Sequence, residues 1–145
     1  MIRIKRIDKG LPLPGYKSQG AAAFDLYTRE TITIPARGWG KAPSNIIIET
    51  PKEHGLIISA RSSLAKNYPG LFLANGIGLI DSDYCGDEDE ILISLYNFTD
   101  EEITINKGDR IAQAFLVKFM RDSWEEVTEM CNRDRGGFGS TGLRD

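Results

Sequence analysis

The sequence is poor in the residues on which several catalytic classes depend. It has one histidine, His54, set between Glu53 and Gly55, and a nucleophile activated by histidine needs a ring held by a partner. The two cysteines, Cys85 and Cys131, are not arranged as a CxxC pair, so we expect free thiols. The chain also has no zinc-type ligand set and no GxxxxGK[ST] loop. Histidine-assisted nucleophilic attack, zinc chemistry and P-loop chemistry are therefore disfavoured.

The chain also lacks a charge surplus and a long apolar run. Its formal net charge is -3 at pH 7, which argues against broad binding to a nucleic acid backbone. No apolar run approaches the ~20 residues needed to cross a bilayer. Residues 1–9 alternate charged and apolar side chains and lack the apolar centre of a signal peptide. We therefore expect a cytoplasmic protein with no direct nucleic acid partner and no membrane partner.

The sequence is instead rich in short segments with strand-like patterns. Residues 2–7 alternate apolar and charged side chains with period two, as in a half-buried strand. Further strand candidates are residues 24–27, 31–34, 45–49, 56–60, 71–73, 78–80, 91–96, 103–105, 110–119 and 124–128. Asn75-Gly76 between two of them predicts a hairpin, and residues 62–67 are the one helix candidate. We predict an all-β fold, a distorted jelly-roll or barrel-like sandwich with one short helix and a mobile C-terminal arm.

Two groups near the start of the chain could carry chemistry. Asp25 lies within an apolar strand candidate, where an acid must be paired, lie near a metal or face water at a sheet edge, and these interpretations are equally supported. Arg61, Ser62 and Ser63 could cradle phosphate oxygens at the start of the predicted helix. Taken alone, that segment is more typical of a helix cap without a ligand.

Residues 75–86 favour function more strongly. Asn75 and the backbone of its turn could pair with the edge of a base, and Tyr84 could stack on a sugar. Asp81 follows the apolar triplet 78–80, so it is a candidate general base that is partly desolvated yet near a cleft. The acidic run 87–90 could bind a divalent cation, but a solvated loop is the favoured interpretation.

The last two groups are at the C-terminal end of the chain. Gln113 follows a Lys-Gly-Asp turn and alone is more typical of a surface glutamine. Residues 133–142 combine glycine-rich chain, two arginines and one aromatic, which could wrap phosphates and stack on a base. We predict one β domain over residues 1–131 and a glycine-rich arm over 132–145 that stays mobile until it meets a ligand or partner.

Together these groups resemble the five ordered motifs of the trimeric deoxyuridine triphosphatase (dUTPase) family. The counterparts are residues 22–28, 60–65, 78–86, 108–113 and 133–142. The resemblance implies hydrolysis of dUTP to dUMP and pyrophosphate by water attack on the α-phosphate, which limits uracil in DNA and supplies dUMP for dTMP synthesis. It also implies Mg²⁺ on the triphosphate, a homotrimer with active sites between subunits, and action in the cytoplasm, or in a host cytoplasm if a phage encodes the chain.

The resemblance also implies residue roles. Asp81 would be the general base, Tyr84 would pack against deoxyribose and exclude a 2′-hydroxyl, and Asp25 would orient either the metal's water shell or the arginine of the second motif. The other implied substrate-binding residues are Arg61, Ser62, Ser63, Asn75, Gly78, Ile80 and Gln113 in the domain, and Arg133, Arg135, Phe138, Gly139 and Ser140 in the arm, which would close over the site.

Departures from the family pattern leave some points open. Asp134 stands where the family has glycine, so Arg133 and Arg135 are both candidates for the γ-phosphate, and residues 87–89 look inserted. A dCTP deaminase of the same fold is the nearest rival, but its proton-shuttling glutamate is matched by Ser94 and its arginine by Lys66. A protein that senses nucleotide for regulation is a rival of another class.

Overall fold

Short strands make up nearly all the regular structure of residues 1–137, the part of the chain that this computed structural model describes. In chain order they are β1 Arg3–Arg6, β2 Phe24–Tyr27, β3 Ile32–Ile34, β4 Trp39–Pro43, β5 Ile46–Glu49, β6 His54–Ala60, β7 Leu71–Leu73, β8 Gly78–Ile80, β9 Leu92–Asn97, β10 Ile103–Ile105 and β11 Arg110–Lys118. One helical turn, α1 Leu64–Asn67, follows β6. Within residues 1–137 no helix has the length and apolar character needed to cross a membrane.

The strands form open antiparallel sheets. The largest has the order β2-β11-β6-β8, the second has the order β4-β9-β7, and two strand pairs are β1-β5 and β10-β3. None of these sheets closes into a barrel within residues 1–137. The predicted all-β class with one short helix is confirmed, and the arrangement is a sandwich. The last strand ends at Lys118, and the domain boundary at residue 131 stays a prediction.

The core lies between the two larger sheets. Leu26 and Leu56 of the large sheet and Ile93 and Leu95 of the second sheet are at most 1% exposed and belong to one apolar cluster. Fully burying such a side chain is worth about 1.5–3 kcal/mol. The two longest strands, β6 and β11, pair along seven residues in the middle of the large sheet. Arg61 follows β6, and Arg110 and Gln113 lie on β11.

Two local predictions were wrong, and one strand was not predicted. The Asn75-Gly76 turn exists, with Gly76 at φ 70°, but it joins two sheets, because β7 pairs with β9 and β8 pairs with β6. Strand β4 was missed because Trp39–Pro43 contains glycine, lysine and proline, and proline is tolerated only because β4 is an edge strand. Residues 124–128 form no strand within the described chain.

Candidate active site

A buried aspartate held by two arginines lies where β2, β11 and β6 run side by side. The Asp25 side chain is 10% exposed and is the register partner of Gln113 on β11. Arg61 Nε lies 2.7 Å from Asp25 Oδ1, and Arg110 Nη1 donates to Oδ2 at 2.9 Å. Two guanidiniums offset the cost of burying one carboxylate. Asp25 is therefore paired, and the interpretation of a water-facing edge residue is wrong.

Arg61 is fixed by more than Asp25. Its Nη1 donates to the backbone carbonyl of Arg110 at 3.1 Å and to Ser63 Oγ at 3.3 Å. Gln113 Nε2 donates to the carbonyl of Ala60, the residue before Arg61, at 3.1 Å. The predicted phosphate residues Arg61, Ser63 and Gln113 are thus brought together. Helix α1 has only four residues, and its cap residue Ser63 makes no side-chain cap hydrogen bond. The feature of this segment that could bind phosphate is therefore the fixed guanidinium of Arg61.

The turn before β11 is fastened by Asp109, a member of the 108–113 motif, together with Asn106 and Tyr68, which the sequence did not single out. Asp109 Oδ2 accepts from the Asn106 N–H at 2.8 Å and from the Tyr68 hydroxyl. Burial, with Asp109 beside it, raises the pKa of Tyr68 to about 12, so this hydroxyl keeps its proton at neutral pH. Arg61, Tyr68 and Arg110 line one side of a hollow of about 490 Å³. Arg110 belonged to a recognised motif, whereas nothing in the sequence pointed to Tyr68.

The second part of the candidate site is the turn after β8. The backbone N–H of Tyr84 donates a hydrogen bond to the backbone carbonyl of Asp81 at 3.2 Å, and this hydrogen bond closes the turn. Asp81 is exposed in the single chain, beside a small hollow of about 150 Å³, so the expected cleft is present but the expected partial desolvation is not. Tyr84 is 37% exposed. The turn therefore carries a carboxylate and an aromatic ring three residues apart, and both side chains are exposed.

Gly78 and Ile80 lie on β8, whereas Asn75 lies in the turn before β8 and Ser62 lies in the turn before α1. Asn75 and Ser62 are exposed and Ile80 is half-buried. A Cβ on Gly78 would lie 3.1 Å from Ile58 Cβ, so this glycine has a packing reason to be present, namely the close approach of β8 to β6.

Only some of the predicted arm residues lie within residues 1–137. Arg133 and Arg135 are exposed in chain without regular structure. Phe138, Gly139 and Ser140 lie outside the described residues. The arm assignments therefore stay predictions.

The acidic run is a pinned loop. Arg29 Nε and Nη2 donate to the two oxygens of Glu90 at 2.9 and 3.0 Å, and Lys5 Nζ donates to Asp87 Oδ1 at 2.8 Å. No cluster of three or more metal-ligating side chains occurs anywhere in the described part of the chain. The loop thus gives the divalent-cation alternative no support.

The two parts of the candidate site lie at opposite ends of β6. Leu56 is the register partner of Ile80, which precedes Asp81, while Arg61 follows the other end of the strand. Five steps of extended chain from Leu56 to Arg61 span roughly 17 Å. Asp81 and Arg61 of one chain therefore cannot act on the same phosphate group.

Comparison with known proteins identifies the family. The dUTPase family model matches residues 9–142. The chain belongs to the dUTPase family. It is 42% identical to the deoxyuridine 5'-triphosphate nucleotidohydrolase of Dictyoglomus turgidum, over 99% of this chain and all of that relative.

Solved dUTPase structures share the fold. The dUTPase of Streptococcus mutans superposes with a TM-score of 0.74 at 26% identity, covering 83% of this chain and 98% of that one. The Staphylococcus bacteriophage 80alpha dUTPase with dUPNHPP superposes with a TM-score of 0.84, covering 99% of each chain, and at 19% identity this likeness speaks for the fold alone.

The deaminase alternative is not favoured. Ser94, at the place of the deaminase glutamate, has a hydroxyl that accepts from Trp39 Nε1 at 2.7 Å. A serine held in this way has no carboxylate with which to carry protons to an amino group.

Proposed function

We propose that this dUTPase-family chain hydrolyses dUTP to dUMP and pyrophosphate. The observation that carries the proposal is the fixed Arg61 guanidinium, held by Asp25 and Ser63, in a chain that also keeps Asp81 and Tyr84 on one turn. The full-length likeness to a relative named for this activity supports it. We also propose that the protein acts in the cytoplasm. If a phage encodes the chain, this would be the cytoplasm of the host cell.

In the proposed reaction Asp81 takes a proton from a water molecule as the water oxygen attacks the α-phosphorus. The bond from the α-phosphorus to the bridging oxygen breaks, and pyrophosphate leaves with that oxygen. Phosphoryl transfer needs in-line positioning and neutralisation of charge more than covalent help from the protein. Arg61 supplies positive charge, and Gln113 and the serines 62 and 63 supply hydrogen bonds to the phosphates.

The base end of the substrate is assigned to the turn and strand around β8. Asn75 and the backbone near Gly78 and Ile80 would pair with uracil, and Tyr84 would pack against deoxyribose. Arg133 or Arg135 and the 138–140 segment would cover the nucleotide, and closure of such a segment excludes water.

Magnesium fits as part of the substrate. Both oxygens of Asp25 already accept from arginines, and no cluster of three metal-ligating side chains exists in residues 1–137. Mg²⁺ is commonly held by substrate phosphates, waters and one or two carboxylates, so we propose that it arrives on the triphosphate and neutralises charge there. Asp25 would at most touch its water shell, and its contacts favour the other role, holding Arg61.

We further propose a homotrimer whose active sites lie between copies. Asp81 and Arg61 lie at opposite ends of β6. They are therefore too far apart in one chain to contact the same phosphate. The described chain also exposes apolar side chains that a neighbour would cover: Ile77, Leu79, Met120, Trp124, Val127 and Met130. Burial of these groups would favour association.

Pyrophosphate release from dUTP, dTTP, dCTP and UTP with Mg²⁺ tests the activity. We expect dUTP to be strongly preferred and no ammonia to be released from dCTP. Ammonia from dCTP, or no release of pyrophosphate from dUTP, would overturn the proposal.

Mixing two inactive variants tests the shared site. Asp81→Asn and Arg61→Gln copies, unfolded together and refolded, should regain activity, because some sites then combine an intact Asp81 with an intact Arg61 from another copy. Arg61→Gln mixed with Gln113→Ala is the matched control and should show no more activity than the two variants show separately, since both lesions fall on the same side of each site. Equal outcomes for the two mixtures would contradict a site shared in this way.

A further inference from the structure

Hydrogen bonds hold Tyr84 both at its backbone and at its ring hydroxyl. Its backbone N–H donates to the Asp81 carbonyl at 3.2 Å, and its hydroxyl donates to the backbone carbonyl of Glu90 at 3.2 Å. The ring is otherwise 37% exposed, so packing alone does not fix it. The position of the ring therefore depends on where the Glu90 backbone is held.

Glu90 is the best-anchored residue of the acidic loop. Its side chain is 11% exposed. Oε1 accepts from Arg29 Nε at 2.9 Å and from the Asn45 N–H at 2.8 Å, and Oε2 accepts from Arg29 Nη2 at 3.0 Å. A bidentate guanidinium–carboxylate pair fixes orientation as well as distance. Hydrogen bonding to Glu90 also raises the pKa of Arg29.

The remainder of the loop is held less firmly. Asp89 Oδ2 accepts from the Gly86 N–H at 2.7 Å, and Lys5 reaches Asp87 at an exposed site. Exposed pairs of this kind contribute little. The peptide that carries the Glu90 carbonyl is held in two ways. The Ile91 N–H of that peptide donates to the Ile46 carbonyl at 3.0 Å, and the Arg29–Glu90 pair holds the loop through the Glu90 side chain.

We propose that Arg29 and Glu90 are positioning residues that set the discrimination of dUTP from UTP by holding the Tyr84 ring in place. The inference rests on the proposed function, in which Tyr84 packs where a ribose 2′-hydroxyl would lie. Rejection of one added hydroxyl by packing alone reaches only about a hundredfold. A ring that can move aside makes room for the extra oxygen of UTP, and part of the discrimination between dUTP and UTP is then lost.

The test is a double-mutant cycle on the ratio of kcat/KM for dUTP to kcat/KM for UTP. Tyr84→Phe removes the hydroxyl and keeps the ring, and Glu90→Ala removes the side-chain anchor while leaving the backbone hydrogen bond of Ile91 in place. We expect each to lower the ratio by about two- to tenfold, the range of a single neutral hydrogen bond. The double variant should show no further loss, because both changes cut the same tether. Glu90→Gln, which keeps one acceptor oxygen, should give a smaller loss.

Asp100→Ala is the matched control, because it breaks the exposed Arg37–Asp100 pair and should leave the ratio unchanged. Additive losses in the double variant, or an unchanged ratio in Tyr84→Phe, would overturn the inference while wild-type turnover of dUTP leaves the proposed function intact. A wild-type protein inactive on dUTP would instead overturn the proposed function. If thermal melting reveals that Glu90→Ala does not fold, the cycle is run with Glu90→Gln under the same criteria.

Discussion

Replacing Asp25 by asparagine tests the arrangement that joins the fold to the phosphate end of the site. The change keeps the shape of the side chain but removes the charge between Arg61 and Arg110. Breaking a buried ion pair on one side costs about 3–5 kcal/mol. The two arginine side chains are 24% and 39% exposed, so water can compensate part of this. We expect a loss of roughly 2 kcal/mol in the free energy of unfolding, after discounting for that screening.

Two measurements follow from that value. For a domain of this size a loss of about 2 kcal/mol lowers the melting temperature by roughly 4–8 °C, measured at one protein concentration because association contributes to stability. Arg61 would also lose its orientation, so kcat/KM for dUTP should fall about ten- to a hundredfold. Asp100→Asn is the control, and at an exposed pair it should change stability by less than about 0.5 kcal/mol.

The alternative role of Asp25 predicts a different result. If Asp25 acted mainly on the water shell of the metal, Asp25→Asn would raise the Mg²⁺ concentration needed for half-maximal activity and leave the melting temperature nearly unchanged. That outcome would refute the reasoning from the paired arginines. An unchanged melting temperature together with unchanged kcat/KM would refute both roles.

Two further changes test other parts of the structure. Deleting residues 133–145 should lower turnover sharply while circular dichroism still reports a folded β domain, because every described strand ends before them; loss of the fold would mean that the arm is structural. Tyr68 has a folded-state pKa of about 12, raised above its usual 10, so its contribution is fully present below pH 10 and is lost between about pH 10 and 12. Tyr68→Phe should therefore weaken the fall of stability in that alkaline range, and an identical pH profile would argue against the contact with Asp109.

Period-two patterns located most strands because alternation reflects one buried face. Trp39–Pro43 was not recognised, since its strand depends on pairing with β9 and a distant partner overrides weak local propensity. The Asn75-Gly76 turn was predicted, but the two strands that flank it do not pair with each other. β8 pairs with β6 instead, and Gly78 lets β8 approach Ile58 of β6 closely. Local sequence gives the turn, whereas the choice of neighbour depends on packing across the sheet.

The candidate site divides in the same way. An acid within an apolar strand had to be paired or near a metal, but sequence alone could not name its partners, because Arg61 and Arg110 are distant from Asp25 along the chain. Tyr68 carried no signal, since a tyrosine hydroxyl becomes informative only when it is buried beside an acceptor. The place of Asp81 after an apolar triplet made it a candidate base, and the family motifs supplied the role of Gln113, but neither gave the contacts that hold these residues.

The separation of Asp81 from Arg61 along β6 explains why the two ends of the site differ in character. The contacts of Arg61 with Asp25, Ser63 and the Arg110 backbone fix its guanidinium within one chain, as the proposed binding of phosphates would require. In the proposed reaction Asp81 takes a proton from water, and the turn that carries Asp81 is exposed to solvent in the single chain. Putting the two ends on different copies would let association, and not folding, bring a preformed cation and a hydrated base to the same phosphorus.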